Sequence, residues 1–274
     1  MSDEIVLANI AVHTRVASRY NSSEPHFRPE NQEKVKGILR DLSQRCGGGK
    51  LLDLGCGTGF ILKLAQEYFT ELHGVDVTQA MLDQVDTTSG KIHLHNAQAE
   101  ALPFPSETFN LVSAYSFIHH AKDYMLVLKE AARVLKPGGI CYVDLEPNKL
   151  FWEAISKIDK PTLDSGDPLV RKAYDSVVNV DEKLEKEYGI PRDVTNKAEY
   201  GKSILGGIDP DLIQRQVRQL GFKDCKIRFE WFVGQAEVMH GQSFADAALI
   251  DAHLRRIAPL SNHLFKYIQL ILTK

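Results

Sequence analysis

The sequence lacks the features that mark disulfide-rich and membrane-spanning proteins. Its 274 residues include four cysteines, Cys46, Cys56, Cys141 and Cys225, which form no C-x-x-C pair and no spacing typical of a disulfide framework. No apolar run approaches the length that crosses a bilayer, and the N-terminus has no basic stretch followed by an apolar one. We therefore expect a protein without a membrane span in the reducing cytoplasm, with Cys56 and Cys141 as small packing residues.

A concentrated patch of basic residues is missing as well. The 33 Lys and Arg residues are outnumbered by 36 Asp and Glu residues, which gives a formal net charge of −3. Tight binding to nucleic acid needs many phosphate contacts, so this balance argues against DNA or bulk RNA as the substrate. The length and the 43% hydrophobic content suffice for one large domain with additions or for two unequal lobes.

The most informative segment that is present runs from Lys50 to Phe60. A short apolar strand contains Asp53, and glycines at 55, 57 and 59 lead into an apolar helix start at Phe60. A strand, a glycine turn and a helix N-terminus form a nucleotide-binding corner at the carboxyl end of a parallel strand. Phe60 stands where the dinucleotide fingerprint has Gly or Ala, and the phosphate loop G-x-x-x-x-G-K-[ST] is absent. The loop therefore favours an adenosine ligand without a polyphosphate.

A second acid, Asp76, ends the next predicted strand. A carboxylate at this place can accept hydrogen bonds from both hydroxyls of a ribose. Asp53 alone is also explained as a helix N-terminal acid, and Asp76 alone as a turn residue. Their joint appearance around a glycine loop favours cofactor binding. Further strands at Phe109–Ser116 and Ile140–Leu145 alternate with helical segments at the spacing of a parallel sheet.

This ordered set of motifs resembles the class I S-adenosylmethionine-dependent methyltransferases, most closely the small-molecule branch that includes enzymes of the ubiquinone and menaquinone biosynthesis type. The resemblance covers residues 47–146. It implies an α/β enzyme with S-adenosylmethionine as the cofactor and methyl transfer as the activity. The implied architecture is a Rossmann-like sheet of seven mostly parallel strands in the order 3-2-1-4-5-7-6, with strand 7 antiparallel and helices on both faces.

The resemblance also implies which residues hold the cofactor. Asp53 and the loop glycines would frame its methionine end, Asp76 would hold the ribose, and Val77 and Met81 would pack against the adenine. Met81 is equally well explained as core filler. The remaining implied positions are Gly55, Cys56, Gly57, Gly59, Gln98, Ala99, Glu100, Ala114 and Tyr115. Gln98 stands where the family often has an acid, but its side-chain carbonyl can still accept a hydrogen bond from the adenine amino group.

Three residues are candidates for catalysis. Methyl transfer from a sulfonium is an in-line displacement to which the protein contributes mainly alignment and exclusion of water, so we expect no metal. A neutral nucleophile needs its proton removed, and His119 or His120, just beyond the fourth predicted strand, is suited to that task. The alternative is a histidine pair that caps the next helix or faces solvent. Tyr20, with His26 and Arg28, lies in a polar segment expected near the substrate, for which the alternative is an exposed loop.

The chain divides into a central unit and two additions. Residues 1–46 are expected to form a cap segment with a helix at Asn31–Leu42, and residues 47–146 with 208–274 form the methyltransferase core. Residues 147–207 interrupt the alternation of strands and helices after the fifth strand, above the ends where α/β enzymes bind ligands. We interpret this insertion as a helical lid that selects the substrate, and a homodimerisation arm is the rival interpretation.

Two patterns of apolar residues predict a helix in the insertion and a strand in the last part of the core. Apolar residues at helical spacing predict an amphipathic helix in the insertion, and they are Val170, Tyr174, Val177, Val178, Leu184 and Tyr188. The segment Lys223–Val233 alternates as a half-buried strand does. It predicts Phe229 and Trp231 on the buried face and Arg228 and Glu230 on the other.

The absence of one motif narrows the class of methyl acceptor. The N-methyltransferase signature [D/N/S]-P-P-[Y/F] does not follow the fourth predicted strand, where the chain reads Ser113-Ala-Tyr-Ser116. We therefore favour methylation of O or C on a small, partly apolar molecule. The alternatives are a non-methylating enzyme that uses the same cofactor, a methyltransferase that acts on protein or RNA, and a binding protein with a vestigial pocket.

Overall fold

A computed structural model of the chain describes residues 2–178 and 185–274. Its centre is a seven-stranded sheet in the order β3-β2-β1-β4-β5-β7-β6. The strands are β1 (Lys50–Leu54), β2 (Glu71–Asp76), β3 (Ile92–Asn96), β4 (Phe109–Tyr115), β5 (Leu135–Pro147), β6 (Asp224–Phe232) and β7 (Phe265–Thr273). Strands β1 to β5 pair in parallel, whereas β7 is antiparallel to β5 and β6. The predicted fold class and strand order are confirmed.

Helices surround the sheet and form the additions. Before β1 lie α1 (Ser2–Val16), α2 (Tyr20–Ser23) and α3 (Pro29–Cys46), and between the parallel strands lie α4 (Phe60–Ala65), α5 (Gln79–Leu82) and α6 (Tyr124–Val134). After β5 come α7 (Lys149–Ile155), α8 (Lys160–Ser165), α9 (Pro168–Val178), α10 (Arg192–Ala198) and α11 (Pro210–Gln216), and α12 (Gln235–Gly241) and α13 (Phe244–Arg256) separate β6 from β7. Single turns of 3₁₀-helix lie at Pro25–Phe27 and Ile118–His120, a π-helical turn lies at Tyr200–Ile204, and residues 185–188 are helical.

The sheet has a hydrophobic core on each face because successive residues of a strand point to opposite sides. Leu52 and Leu54 of β1 belong to one buried cluster with Val127 of α6. Leu51 belongs to a second buried cluster with Leu39 of α3. A strand that is buried on both sides reads as a continuous apolar run, as β1 does. The two cores hold the carboxyl ends of the parallel strands in fixed positions.

Local signals in the sequence set the ends of the helices that flank these strands. Helix α3 begins with Pro29 at its first position and ends before Gly47, whose φ of +77° is left-handed. Helix α3 is longer than the predicted helix Asn31–Leu42, which lies within it. The carboxylate of Asp123 accepts hydrogen bonds from the backbone N–H groups of Met125 and Leu126 at the start of α6.

The predicted alternation along β6 is wrong at its end. Glu230, predicted on the solvent side, is 5% exposed, and Trp231, predicted on the buried side, is only half-buried. Trp231 has a left-handed φ of +60°, which interrupts the extended alternation of side chains. The buried carboxylate of Glu230 is compensated by Lys34, whose Nζ lies 2.9 Å away, and by Arg228 at 2.6 Å.

The residues before β1 are more helical than predicted. Helix α1 was not expected, and the segment predicted as a polar loop forms α2 and the turn Pro25–Phe27. Helix α1 buries Ala8 and Val12 against Ile190 and Ala198, at either end of the segment that holds α10. Its apolar residues follow one another almost continuously, and Leu7 is 61% exposed, so the sequence shows no single apolar stripe.

The described part of the insertion is helical. Val170 and Tyr174 of the predicted amphipathic helix lie in α9, and Tyr188 lies in the helical residues 185–188. The side chains of Val177 and Val178, and all of Leu184, lie outside the described part of the chain. Across residues 2–178 and 185–274, no helix combines the length and the apolar character needed to cross a bilayer.

Candidate active site

The glycine loop lies between the carboxyl end of β1 and the start of α4. Gly55, Gly57 and Gly59 have φ values of +60°, +51° and +85°, which favour glycine. A Cβ on Gly55 would lie 1.9 Å from Cδ2 of Phe117, and a Cβ on Gly59 would lie 2.9 Å from Cγ1 of Val85. Gly59 therefore permits close packing at the start of α4, whereas Gly55 and Gly57 border a cavity.

Asp76 joins this loop to the end of β2. Its Oδ2 accepts a hydrogen bond from the backbone N–H of Gly57 at 2.9 Å, and its Oδ1 accepts one from Thr78 at 2.8 Å. Asp76 also lines the cavity, and each carboxylate oxygen can accept a further hydrogen bond. The bond to Thr78 is the turn role that the sequence allowed. The position in the cavity is what a ribose contact requires.

The main cavity has a volume of about 740 Å³, part of it open to solvent. The predicted cofactor residues that line it are Gly55, Gly57, Asp76, Val77, Met81, Ala99, Glu100 and Tyr115. Helix α1 contributes Ile5, Val6, Asn9 and His13 to the opposite wall. The cavity therefore lies between the ends of the parallel strands and the N-terminal helix.

A smaller cavity of about 310 Å³ adjoins the glycine loop and is lined by Asp53, Cys56 and Tyr115. Asp53 is buried, and its Oδ1 accepts a hydrogen bond from the Ser113 hydroxyl at 2.7 Å. Burial raises the pKa of Asp53 to about 7, although the bond from Ser113 opposes the shift. A cationic group in this cavity would favour the ionised carboxylate.

Three predicted cofactor residues, Gly59, Gln98 and Ala114, line neither of these cavities. Gln98 is exposed, and Ala114 is buried within the sheet. Ala97, which was not predicted, lines the main cavity beside Ala99. Glu100 lies there too, and burial raises the pKa of its carboxyl above the ordinary value.

The two neighbouring histidines have different surroundings. His120 lines the main cavity, and its Nδ1 donates a hydrogen bond to the Ala198 carbonyl at 2.7 Å, so Nε2 keeps its lone pair. Burial and the nearby His119 lower the pKa of His120 to about 3, which keeps the ring neutral. His119 is buried behind it, with Nδ1 2.8 Å from Oε2 of Glu146. Burial opposes protonation of His119, but the Glu146 carboxylate outweighs burial and raises its pKa.

Tyr20 lines both cavities and connects α2 to the sheet. Burial raises the pKa of its phenol, which stays protonated at neutral pH. The ring of His26 lies 5.9 Å from that of Tyr20 and borders the smaller cavity, and burial lowers the pKa of His26 to about 4. Arg28 lines neither cavity. Tyr20 and His26 of this segment therefore border the cavities, whereas residues 21–23 and Arg28 are exposed.

Sequence reasoning missed the residues that fix His120 in place. The Asn9 side chain donates a hydrogen bond to the His120 carbonyl at 3.2 Å, and the His13 ring lies edge-on at 5.1 Å. Glu146 accepts hydrogen bonds from the backbone N–H groups of residues 117–119, the turn that carries both histidines. The position of Glu146, an acid at the end of the apolar strand β5, is a sequence signal that could have identified it. Nothing in the sequence related α1 to this turn, over 100 residues away.

The chemistry of the two cavities fits an adenosyl cofactor with a cationic methionine end. Asp76 presents carboxylate oxygens, Val77 and Met81 present apolar surface, and Asp53 is a carboxyl that a cation would ionise. No side chain fills the space beside Gly57, where a Cβ would come no closer than 3.6 Å to Met81 Cε.

Known proteins of similar sequence include methyltransferases. Residues 52–143 match a family model described as a methyltransferase domain. The chain is similar to demethylmenaquinone methyltransferase of Staphylococcus haemolyticus, with 29% identity over 245 residues that cover 84% of this chain and 92% of that protein. It is 37% identical to demethylmenaquinone methyltransferase of Bacillus licheniformis over 116 residues, 39% of this chain and 50% of that protein.

Two solved structures share the fold. A SAM-dependent methyltransferase from Archaeoglobus fulgidus has a TM-score of 0.52 at 19% identity, over 89% of this chain and 94% of that chain. The [4+2]-cyclase SpnF has a TM-score of 0.53 at 17% identity, over 97% of this chain and 94% of that chain. The family match and the sequence relatives confirm the predicted likeness to S-adenosylmethionine-dependent methyltransferases and the predicted cofactor, and the two solved structures confirm the fold.

Proposed function

We propose that the enzyme transfers a methyl group to an oxygen or carbon atom of a small, partly apolar molecule. The observation that carries this proposal is the mixed lining of the main cavity, where Ile5 and Val6 lie beside His13 and His120. The cofactor and the acceptor share this partly open cavity, which suits a small acceptor better than a macromolecule. The similarity to two enzymes named for the acceptor demethylmenaquinone supports this class of substrate.

In this proposal the two cavities hold the two ends of the cofactor. Asp76 accepts hydrogen bonds from the ribose, Val77 and Met81 flank the adenine, and Asp53 with the glycine loop holds the methionine end. S-adenosylmethionine supplies an electrophilic methyl group when it is bound. The residues of the chain orient both reactants and exclude water, which are the main needs of a displacement at carbon.

His120 is the proposed proton acceptor of the pair. Its Nε2 keeps a lone pair, and its pKa of about 3 makes it a weak base. A weak base suffices for a hydroxyl acceptor, because the oxygen becomes strongly acidic as it gains the methyl group. His119 and Glu146 act as positioning residues that hold the turn, and the Tyr20 phenol donates a hydrogen bond that orients the acceptor.

We also propose that residues 1–46 and 147–207 together form the lid. Helix α1 packs on α10, and Lys197 lies 3.3 Å from Glu4 across this contact. Nδ1 of His120 bonds to the last residue of α10, Ala198, so the insertion reaches the cavity wall. These contacts favour a lid over a dimerisation arm for this part of the insertion.

One observation favours a second candidate function. The structural neighbour SpnF is named a [4+2]-cyclase, so a protein of this fold carries a name for an activity other than methyl transfer. An enzyme that uses the cofactor pocket without methylating an acceptor is therefore the second candidate.

The first experiment measures cofactor binding by titration calorimetry with S-adenosylmethionine and its demethylated product. We expect Asp76→Ala to weaken binding about 10- to 100-fold, because a charge-assisted hydrogen bond contributes about 1.5–3 kcal/mol. Asp76→Asn, which preserves shape, is expected to weaken binding less. Asp83→Ala, an exposed acid just past α5, is the matched control and should bind normally. Full affinity in Asp76→Ala would remove Asp76 from the site.

Methyl transfer is then followed with cofactor labelled on the methyl group, incubated with a panel of phenols and quinols and with protein and RNA fractions. Label that moves into organic extracts, and does so less in Asp76→Ala, supports the proposal. Label in protein or RNA contradicts it. A changed acceptor without any gain of label supports the second candidate.

A further inference from the structure

A cluster of His119, His120 and Glu199 lies beside the main cavity. One ring nitrogen of each histidine and one carboxylate oxygen of Glu199 lie within 4.8 Å of one another. His119 is buried, and His120 and Glu199 are half-buried. Glu199 follows α10, about 80 residues along the chain from the histidines. The lid therefore brings a carboxylate to a pair of imidazoles that the core holds in place.

Each histidine already uses its Nδ1 in a hydrogen bond to an oxygen. The partner of His119 is Oε2 of Glu146 at 2.8 Å, and the partner of His120 is the carbonyl of Ala198 at 2.7 Å. Metal-binding histidines typically donate their second ring N–H to a carboxylate or a backbone carbonyl, which fixes the tautomer and leaves the other nitrogen as a ligand. In each ring Nε2 is therefore the atom that remains to coordinate a metal, and His119 would give up its Nε2 proton on binding one.

The spacing is close to that of a coordination shell. Nε2 of His119 lies 3.7 Å from Oε2 of Glu199. Two ligands at about 2.1 Å from a tetrahedral zinc ion lie about 3.4 Å apart, so this pair needs to close by a few tenths of an ångström, and the three ligand atoms, all within 4.8 Å of one another, have to draw together around the ion. Gly201 allows this closeness, because a Cβ there would lie 2.7 Å from Cα of His119. Lys202 is the competing cation, with Nζ 3.4 Å from the same Glu199 oxygen.

We propose that His119, His120 and Glu199 bind one divalent transition-metal ion. Two imidazoles and one carboxylate suit zinc, and cobalt is its spectroscopic substitute. His120 lines the main cavity, with the His13 ring 5.1 Å away, so a fourth ligand position faces the cavity. This site goes beyond the proposed function, since methyl transfer needs no metal. The metal-free chain keeps the Nε2 lone pair that the proposed function assigns to proton transfer, and metal binding would block that role.

The test uses the untagged full chain, stripped of metal with a chelator and titrated with Co²⁺ and then Zn²⁺. We expect one equivalent of Co²⁺ to give the visible absorption of a four-coordinate site, and Zn²⁺ to displace it. Glu199→Gln should weaken Zn²⁺ binding at least tenfold, as should His119→Gln. Lys202→Met should tighten binding, because it removes the competing cation. Circular dichroism and thermal unfolding show that each variant is folded.

The matched control is a second group of histidines on β2 and β3. His73 Nδ1 lies 3.0 Å from His95 Nε2, and His73 Nε2 lies 2.7 Å from Glu71, so these nitrogens already have partners. His95→Gln should leave metal binding unchanged. Binding that is lost in His95→Gln but kept in Glu199→Gln would overturn the proposal, as would the absence of binding at millimolar metal. Neither result would bear on methyl transfer, which is measured separately.

Discussion

Asp53 is the residue whose charge depends most directly on what lies beside it. It is buried next to the glycine loop, and its pKa of about 7 means that the carboxyl is about half protonated at neutral pH without a ligand. The methionine end of S-adenosylmethionine carries an ammonium group. If Asp53 holds that end, as we propose, binding selects the ionised carboxylate and releases a proton.

The affinity of the cofactor should therefore fall as the pH drops below about 7, approaching tenfold per unit, because the protonated carboxyl must first ionise. Above that pH this contribution should level off. Calorimetry between about pH 5.5 and 8.5, in buffers of different ionisation enthalpy, measures both the slope and the proton released. Asp53→Asn should bind more weakly and lose this dependence. A wild-type affinity that does not change with pH would place the ammonium group elsewhere.

At the scale of elements, the proposed lid depends on the contact between α1 and α10. Val12 is 6% exposed within this contact, whereas Leu7 of the same helix is 61% exposed. The sheet and its two cores do not depend on either side chain. The contact can therefore be broken without unfolding the part of the chain that holds Asp76.

We expect Val12→Asp to detach α1, because burying an unpaired carboxylate costs several kcal/mol. Cofactor affinity should fall at least tenfold, mainly through faster dissociation, while circular dichroism shows an intact core. The same change on the exposed face, Leu7→Asp, is the control and should leave both rates unaltered. Stopped-flow fluorescence with the demethylated cofactor measures them. Equal dissociation rates in the two variants would show that α1 does not close the site.

The elements that sequence could predict are those whose signals are local. The glycine loop and the acids at the ends of β1 and β2 gave the fold and one wall of the cavity, because each motif lies within a few residues of the chain. The opposite wall comes from α1, whose apolar residues show no stripe, and Glu199 reaches His119 and His120 only through tertiary packing. The end of β6 was misread because the left-handed Trp231 interrupts the alternation that the prediction assumed.

For the whole molecule, the site lies between two bodies of different kinds. Parallel strands with a core on each face form one wall, and a smaller apolar cluster that includes Ala8 and Ile190 holds the other. The free energy needed to open a segment locally rises with its buried apolar contact. The proposed lid should therefore open more often than the sheet. A ligand that contacts both walls stabilises the closed form.

Hydrogen exchange should show this coupling. We expect the demethylated cofactor to slow exchange in α1 and α10 by tenfold or more, while β6 at the far edge of the sheet keeps its rate. Mass spectrometry of peptic fragments with and without the ligand measures the effect. Asp76→Ala at the same ligand concentration serves as the control and should show little protection. Protection confined to β1 and β2 would mean that the lid takes no part in binding.

The distance along the chain between the two halves of the lid has a consequence for biosynthesis. Ser2–Val16 is translated before the five parallel strands, whereas Arg192–Ala198, on which it packs, is translated after them. Until then Ala8 and Val12 lack the apolar partners that Ile190 and Ala198 provide. If this contact retains the cofactor, as we propose, the nascent enzyme gains that ability only after the insertion has been translated.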